Sequence, residues 1–220
     1  MDAMRFDYFD QVVREGQHKF SYEPVWSTGY ETGVWYRNTW NHNRYNDTVL
    51  ISGTPIPWRS GQGCYQQKFF KSYPLWKEQG KTLNRLLSLK DVFTKTKKIS
   101  EIHKNKRILL HIIPPHLPYY HEEGMKWLLG LFGEQILEDG TIYHRVQEYG
   151  RTEGWNKLVL YYKLNIKTAL DELLKHDWGE NGVISSDHGE LIGEGNLYTH
   201  SGKHLSESKK LRIVPWINLT

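Results

Sequence analysis

Four short apolar runs, rich in branched side chains and mostly followed by Gly, Pro or a polar turn, limit what this chain can fold into. They are Thr48-Val-Leu-Ile-Ser52, Arg107-Ile-Leu-Leu-His-Ile-Ile113, Gly182-Val-Ile-Ser-Ser186 and Leu211-Arg-Ile-Val-Pro-Trp-Ile217. Runs of this length and composition read as buried strands. Helical patterns lie between them, the clearest over 155–176, where Leu158, Tyr161, Tyr162, Leu170, Leu173 and Leu174 recur at near-helical spacing. Strands alternating with helices predict an α/β fold with a mainly parallel central sheet flanked by helices on both faces. With 220 residues the chain can bury one sizeable core. A single domain over 1–220 is therefore expected, with a polar, lysine-rich helical insertion at about 60–106.

The third run stops on Ser186-Asp187-His188-Gly189. That places a carboxylate and an imidazole at the carboxyl end of a buried strand, where open α/β sheets hold their ligands. Asp and His supply the oxygen and nitrogen donors that a hydrolytic divalent metal takes. The plainer alternative is a turn in which Asp187 caps the next segment and His188 is a surface residue. The run ending at Ile113 continues into Pro114-Pro115-His116-Leu117-Pro118, which stiffens the turn and keeps His111 and His116 near the same edge. His200 and His204 lie in or beside a glycine-containing loop over 193–203, and Asp2 adds an acid at the N-terminus. Thr32 stands at the start of a short helix running towards Trp40. Its hydroxyl reads either as an ordinary cap or as a nucleophile activated by a helix N-terminus and a nearby cation.

Charge and cysteine usage narrow the partners. A net charge of +4 permits an anionic substrate, whereas nucleic-acid binding usually brings a stronger basic bias, so nucleic acid is an unlikely partner. No stretch has the length to cross a bilayer, so no membrane partner is expected. Cys64 is the single cysteine, which rules out an internal disulfide. A cytoplasmic protein is the expectation.

Taken in order, several blocks resemble the alkaline phosphatase and sulfatase superfamily, most closely its archaeal sulfatase-like members. They are Asp2-Ala-Met-Arg-Phe-Asp7, then Trp26 to Trp35, then Tyr45-Asn-Asp-Thr-Val-Leu-Ile-Ser-Gly-Thr-Pro55. Further along come Leu110-His-Ile-Ile-Pro-Pro-His-Leu-Pro-Tyr119, Ile184-Ser-Ser-Asp-His-Gly-Glu190 and Arg212-Ile-Val-Pro-Trp216. The resemblance implies that Asp2, Asp187 and His188 bind a divalent metal (zinc, manganese or calcium). It puts Thr32 near the nucleophile position, with Ser27 and Thr28 as fallbacks. It matches His116 and His200 to histidines that act on the leaving ester or hold a second ion. The implied activity is metal-dependent hydrolysis or transfer of a small anionic ester. A non-catalytic scaffold serving as a binding module is the alternative.

Three departures from the pattern shape these expectations. The sulfatase signature, a Cys or Ser followed by a Pro and an Arg, is absent, and Cys64 sits in Gly-Gln-Gly-Cys-Tyr-Gln. A phosphate ester is therefore expected ahead of a sulfate ester. Pro114 and Pro115 stand where an acid for a second metal is usual, so one metal is as readily expected as two. The chain opens at Met1-Asp2, where the family has an apolar strand before the acid, so either the true start lies upstream or the first central strand is lacking.

Overall fold

In the computed structural model, which describes residues 1–16, 20–40, 44–58, 64–78, 86–133, 141–179, 181–200 and 202–219, each of the four apolar runs contributes to a strand. In chain order the strands are β1 (Ser21–Trp26), β2 (Tyr45–Ser52), β3 (Phe69–Pro74), β4 (Arg107–His111), β5 (Gly182–Ser185), β6 (Leu191–Ile192), β7 (Tyr198–Thr199) and β8 (Ile213–Leu219). The helices are α1 (Phe6–Glu15), α2 (Thr32–Thr39), α3 (Leu89–Ile102), α4 (Glu122–Phe132), α5 (Thr141–Glu153), α6 (Asn156–Leu173) and the short α7 (Lys209–Arg212).

β2 lies between β3 and β4 and runs parallel to both. Val49, Leu50 and Ile51 are all buried, so both faces of β2 are covered, as a parallel strand demands. The core joins these strands to Phe9 and Val12 of α1, Phe93 of α3, Leu128 of α4 and the stripe Leu158, Tyr162, Ile166, Ala169, Leu170 of α6. That stripe repeats at three and four residues, the spacing of one helix face.

The expected mainly parallel sheet is seen only in part, as the three strands β3, β2 and β4. A second sheet has β8 between β1 and β5, antiparallel to both. The connection from β5 to β8 holds the small β6–β7 hairpin and the four-residue α7, not a crossover helix, so the chain returns in the opposite direction. This sheet also lacks cover on one face, where Val183 is 47% and Trp216 40% exposed. Helices on both faces therefore describe the parallel sheet and not the antiparallel one.

Residues 1–2 connect the two sheets. Asp2 forms a parallel bridge with Pro115, and His116 N–H donates to Asp2 O at 3.3 Å. On the other side Met1 N donates to Ser185 O at 2.8 Å and Asp187 N–H donates to Met1 O at 3.3 Å. This is the offset pattern of a parallel ladder, so β4 and β5 present their carboxyl ends on one edge with Asp2 between them. Ala3 then turns the chain through φ +60°, held by its N–H on Asp187 Oδ1 and by the Tyr162 hydroxyl on its carbonyl.

The segment read as a helical insertion is mixed. It supplies strand β3 to the parallel sheet as well as α3, while its residues 60–63 and 79–85 lie outside the described residues.

Candidate metal centre

Four elements deliver chemistry to the edge that Asp2 occupies. β4 ends on His111, the loop beyond it carries His116, β5 runs into Asp187 and His188, and α2 begins at Thr32 with Glu31 as its cap residue. Asn165, buried on α6, shapes the loop after β4. Its Oδ1 accepts from Tyr120 N–H at 2.7 Å, and its Nδ2 donates to Pro115 O at 3.1 Å. The side chains form two adjoining clusters separated by Gly189, which has a steric reason to be glycine. A Cβ there would stand 2.1 Å from the Lys210 carbonyl oxygen.

The first cluster is made by Asp2, His111, Asp187 and His188, all buried. Asp187 Oδ1 is satisfied by the N–H groups of Ala3 at 3.1 Å and His188 at 2.9 Å. Asp187 Oδ2 is left facing His188 Nε2 at 3.4 Å and His111 Nε2 at 3.5 Å. Asp2 Oδ1 lies 3.4 Å from His188 Nε2. His188 Nδ1 is 2.7 Å from Gly189 O; a carbonyl only accepts, so Nδ1 carries the proton and the lone pair is on Nε2. Thr32 Oγ1 lies 3.1 Å from that Nε2 and donates to it.

The electrostatics follow from burial and crowding. Burial, reinforced by the neighbouring Asp187 charge, pushes the Asp2 carboxyl up to about 7. Burial also works on Asp187, yet His188 and His111 outweigh it and hold this carboxyl below its usual range. His188 is lowered to about 4, chiefly by burial, so its imidazole is neutral.

The second cluster is His116, Glu190 and His200. Their ligating atoms lie within 4.8 Å of one another. His200 Nδ1 is 3.1 Å from Glu190 Oε1, and His116 Nε2 is 3.6 Å from Glu190 Oε2. His116 Nδ1 donates to Leu117 O at 2.8 Å, which again leaves Nε2 unprotonated. The clusters adjoin, with the His188 and His200 rings 4.6 Å apart.

The first cluster fits a divalent cation by a test internal to the protein. Asp2 Oδ1, His111 Nε2 and Asp187 Oδ2 are buried and have no hydrogen-bond partner. Buried polar atoms are rarely left so, and here they converge with mixed oxygen and nitrogen donors of the kind zinc or manganese accepts.

The structure thus gathers Asp2, Asp187, His188 and Thr32 at one point, with His116 and His200 beside them. Ser27 instead donates to the Asp187 carbonyl, and Thr28 pairs with Thr39 at 2.6 Å on the surface. His204 lies on an exposed turn. Sequence reasoning gives no role to Glu190, which answers the question of the missing acid: it comes three residues after Asp187, not from the Pro114-Pro115 loop. Tyr36, Asn165 and the ligand geometry of His111 escape it as well. The signals available are a polar residue inside an apolar stripe for Asn165 and one helical turn from Thr32 for Tyr36.

No protein-family model matches the chain, and no curated protein is similar to it in sequence. Solved structures do share its fold. The integral membrane protein lipooligosaccharide phosphoethanolamine transferase A from Neisseria meningitidis superposes with a TM-score of 0.57 at 13% identity, over 99% of this chain and 46% of that one. The soluble domain of the same transferase gives 0.54 at 13% identity, over 99% of this chain and 74% of that one. The C-terminal periplasmic domain of phosphoethanolamine transferase EptC from Campylobacter jejuni gives 0.50 at 13% identity, over 98% and 75%. The chain spans about half the length of the integral membrane transferase and three quarters of the two domains. Among the described residues no helix is long and apolar enough to cross a membrane.

Proposed function

We propose that this protein is a metal-dependent transferase or hydrolase of phosphate esters, with Thr32 as nucleophile and Asp2, Asp187 and His188 as metal ligands. The observation that carries the reading is the meeting of Asp2, Asp187, His188 and the Thr32 hydroxyl, from three separate parts of the chain, around unpartnered buried donor atoms. The fold shared with phosphoethanolamine transferases supports a phosphoester chemistry. The closer likeness to archaeal sulfatase-like proteins, the single domain and a cytoplasmic location belong to the same proposal.

A divalent cation held here supplies positive charge against the transferred group and lowers the pKa of a coordinated hydroxyl. Thr32 sits in the first turn of α2, where the leading N–H groups have no intrahelical acceptor and face an incoming anion. The Thr32 hydroxyl gives its proton to water, its Oγ1 attacks phosphorus, the P–O bond to the leaving alcohol breaks, and a phosphothreonine remains. Water or an acceptor alcohol then attacks that phosphorus and releases Thr32. His200, whose charge the Glu190 carboxylate sustains, delivers the proton that the leaving oxygen needs. A second reading, two cations with the other on His116, Glu190 and His200, is favoured by the presence of Glu190 in that cluster.

Metal content per chain, measured together with turnover of aryl phosphates, phosphodiesters and aryl sulfates, tests the proposal against an Asp187→Ala variant. Bound metal and phosphoesterase activity, both lost in the variant, are the expected result, and one or two equivalents decide between the two readings. A protein that purifies without metal and is inert on all three substrate classes is instead a non-catalytic module.

A further inference from the structure

We propose that His111 ligates the same cation as Asp2, Asp187 and His188, and that Tyr36 fixes the tautomer that lets it do so. The inference rests on the metal-dependent function proposed for the site. It adds a ligand, and a residue positioning it, that the sequence blocks do not assign.

In a zinc site with bonds of about 2.1 Å, neighbouring ligand atoms stand roughly 3.0–3.6 Å apart, and a five-coordinate arrangement leaves one position for the Thr32 oxygen. His188 Nε2 meets that distance to Asp2 Oδ1 and to Asp187 Oδ2, at 3.4 Å each. His111 Nε2 meets it to the same Asp187 oxygen, at 3.5 Å, and stands 3.8 Å from the other Asp2 oxygen, Oδ2. Contacts this long are not side-chain hydrogen bonds. Were His111 simply an ion-pair partner, its Nε2 would have closed on one of the carboxylates. It remains without a hydrogen-bond partner, like Asp2 Oδ1 and Asp187 Oδ2.

His111 Nδ1 lies 3.0 Å from the Tyr36 hydroxyl. A metal-ligating histidine characteristically hands its second nitrogen to such a partner, which sets the tautomer and the ring plane. Tyr36 is itself held hard. It is fully buried, stacked on Tyr65 at 5.5 Å between ring centroids and packed edge-on against Trp35 at 4.9 Å. With Nδ1–H donating to the Tyr36 oxygen, the Nε2 lone pair is aimed at the gap between the two carboxylates. Tyr36 also lies one turn after Thr32 on α2, so a single helix face carries both the nucleophile and the anchor of His111.

The test is zinc and cobalt binding by the metal-stripped protein, read by calorimetry and by the cobalt absorption spectrum. His111→Ala, Tyr36→Phe and Asp187→Ala are compared with the parent, and the melting temperature of each metal-free form serves as the folding control. His111→Ala is expected to weaken zinc binding at least tenfold and to alter the cobalt spectrum. Tyr36→Phe, which removes one oxygen atom, is expected to weaken zinc binding about ten- to a hundredfold with little change in the metal-free melting temperature. Should His111→Ala fail to fold, Tyr36→Phe decides alone. Parental affinity and spectrum in both variants, with binding lost in Asp187→Ala, would overturn the role of His111 and leave the proposed function standing. Parental binding in Asp187→Ala would overturn both.

Discussion

The Glu190 carboxylate, wholly buried, faces the His200 imidazole at 3.1 Å across the mouth of the β6–β7 hairpin. Burial alone would strip the proton from His200, but the Glu190 charge and hydrogen bond reverse the effect and raise it to about 9. A folded value above the unfolded one, about 6.5, contributes stability that is complete below pH 6.5 and is lost as pH rises through about 9. In the metal-free protein, Glu190→Gln is expected to bring the His200 titration down, as followed by NMR. Its loss of stability relative to the parent should be largest at about pH 5–6.5 and should vanish above about pH 9.5. An unchanged titration would show that Glu190 does not hold this proton.

Thr32 is expected to separate chemistry from folding. Thr32→Ala should lower phosphoester turnover by about three orders of magnitude or more while leaving the melting temperature near that of the parent, since nucleophile loss removes a step and not packing. Thr32→Ser should keep much of the activity. Equal turnover in Thr32→Ala and the parent would remove the covalent step.

Arg5 is the buried cation behind the site. It binds Asp7 at 2.7 Å and Glu194 at 2.7 Å, donates to the Glu190 carbonyl, and lies over the Tyr8 ring. Arg5→Met should cost about 1–3 kcal/mol, less than a fully buried pair because both acids are more than a third exposed. Burial opposes ionisation of Asp7, but the hydrogen bond and charge of Arg5 prevail and lower it to about 2. A depressed carboxyl stabilises above its unfolded value near 4 and ceases to as pH falls through 2. The deficit of Asp7→Asn in urea unfolding should therefore shrink between pH 4 and pH 2, and a constant deficit would contradict this account.

Asn165→Leu should reduce stability by about 1–3 kcal/mol, because the Tyr120 amide and the Pro115 carbonyl lose their buried partner. As this loop also carries His116, metal or substrate binding at the second cluster should weaken in the same variant. A variant that loses stability yet binds normally would confine Asn165 to the fold.

Burial decides how much of the molecule is legible in its residues. β2, β4, β5 and β8 show as apolar runs, whereas β1 and β3 are edge strands with exposed Glu23, Pro24, Phe70 and Lys71 and carry no apolar pattern. The direction of β8 is hidden because apolar content does not encode orientation; the connection before it does. At the site, Asp187 and His188 are visible because two ligand types adjoin at a strand end. Glu190 escapes notice although it stands in the same block, since an acid after a glycine also reads as a turn residue. His111 reads as a histidine near the site edge, but its role as a ligand does not show in the sequence. Its partner Tyr36 becomes legible only once Thr32 is seen to begin a helix.

Asp187, His188 and Glu190 serve two clusters from one stretch of backbone, and Gly189 leaves no spare room between the Lys210 carbonyl and the Arg5 side chain. The gap between the clusters is consequently gauged by main chain and not by adjustable rotamers. On the proposed function, an ester that straddles them must match that fixed caliper.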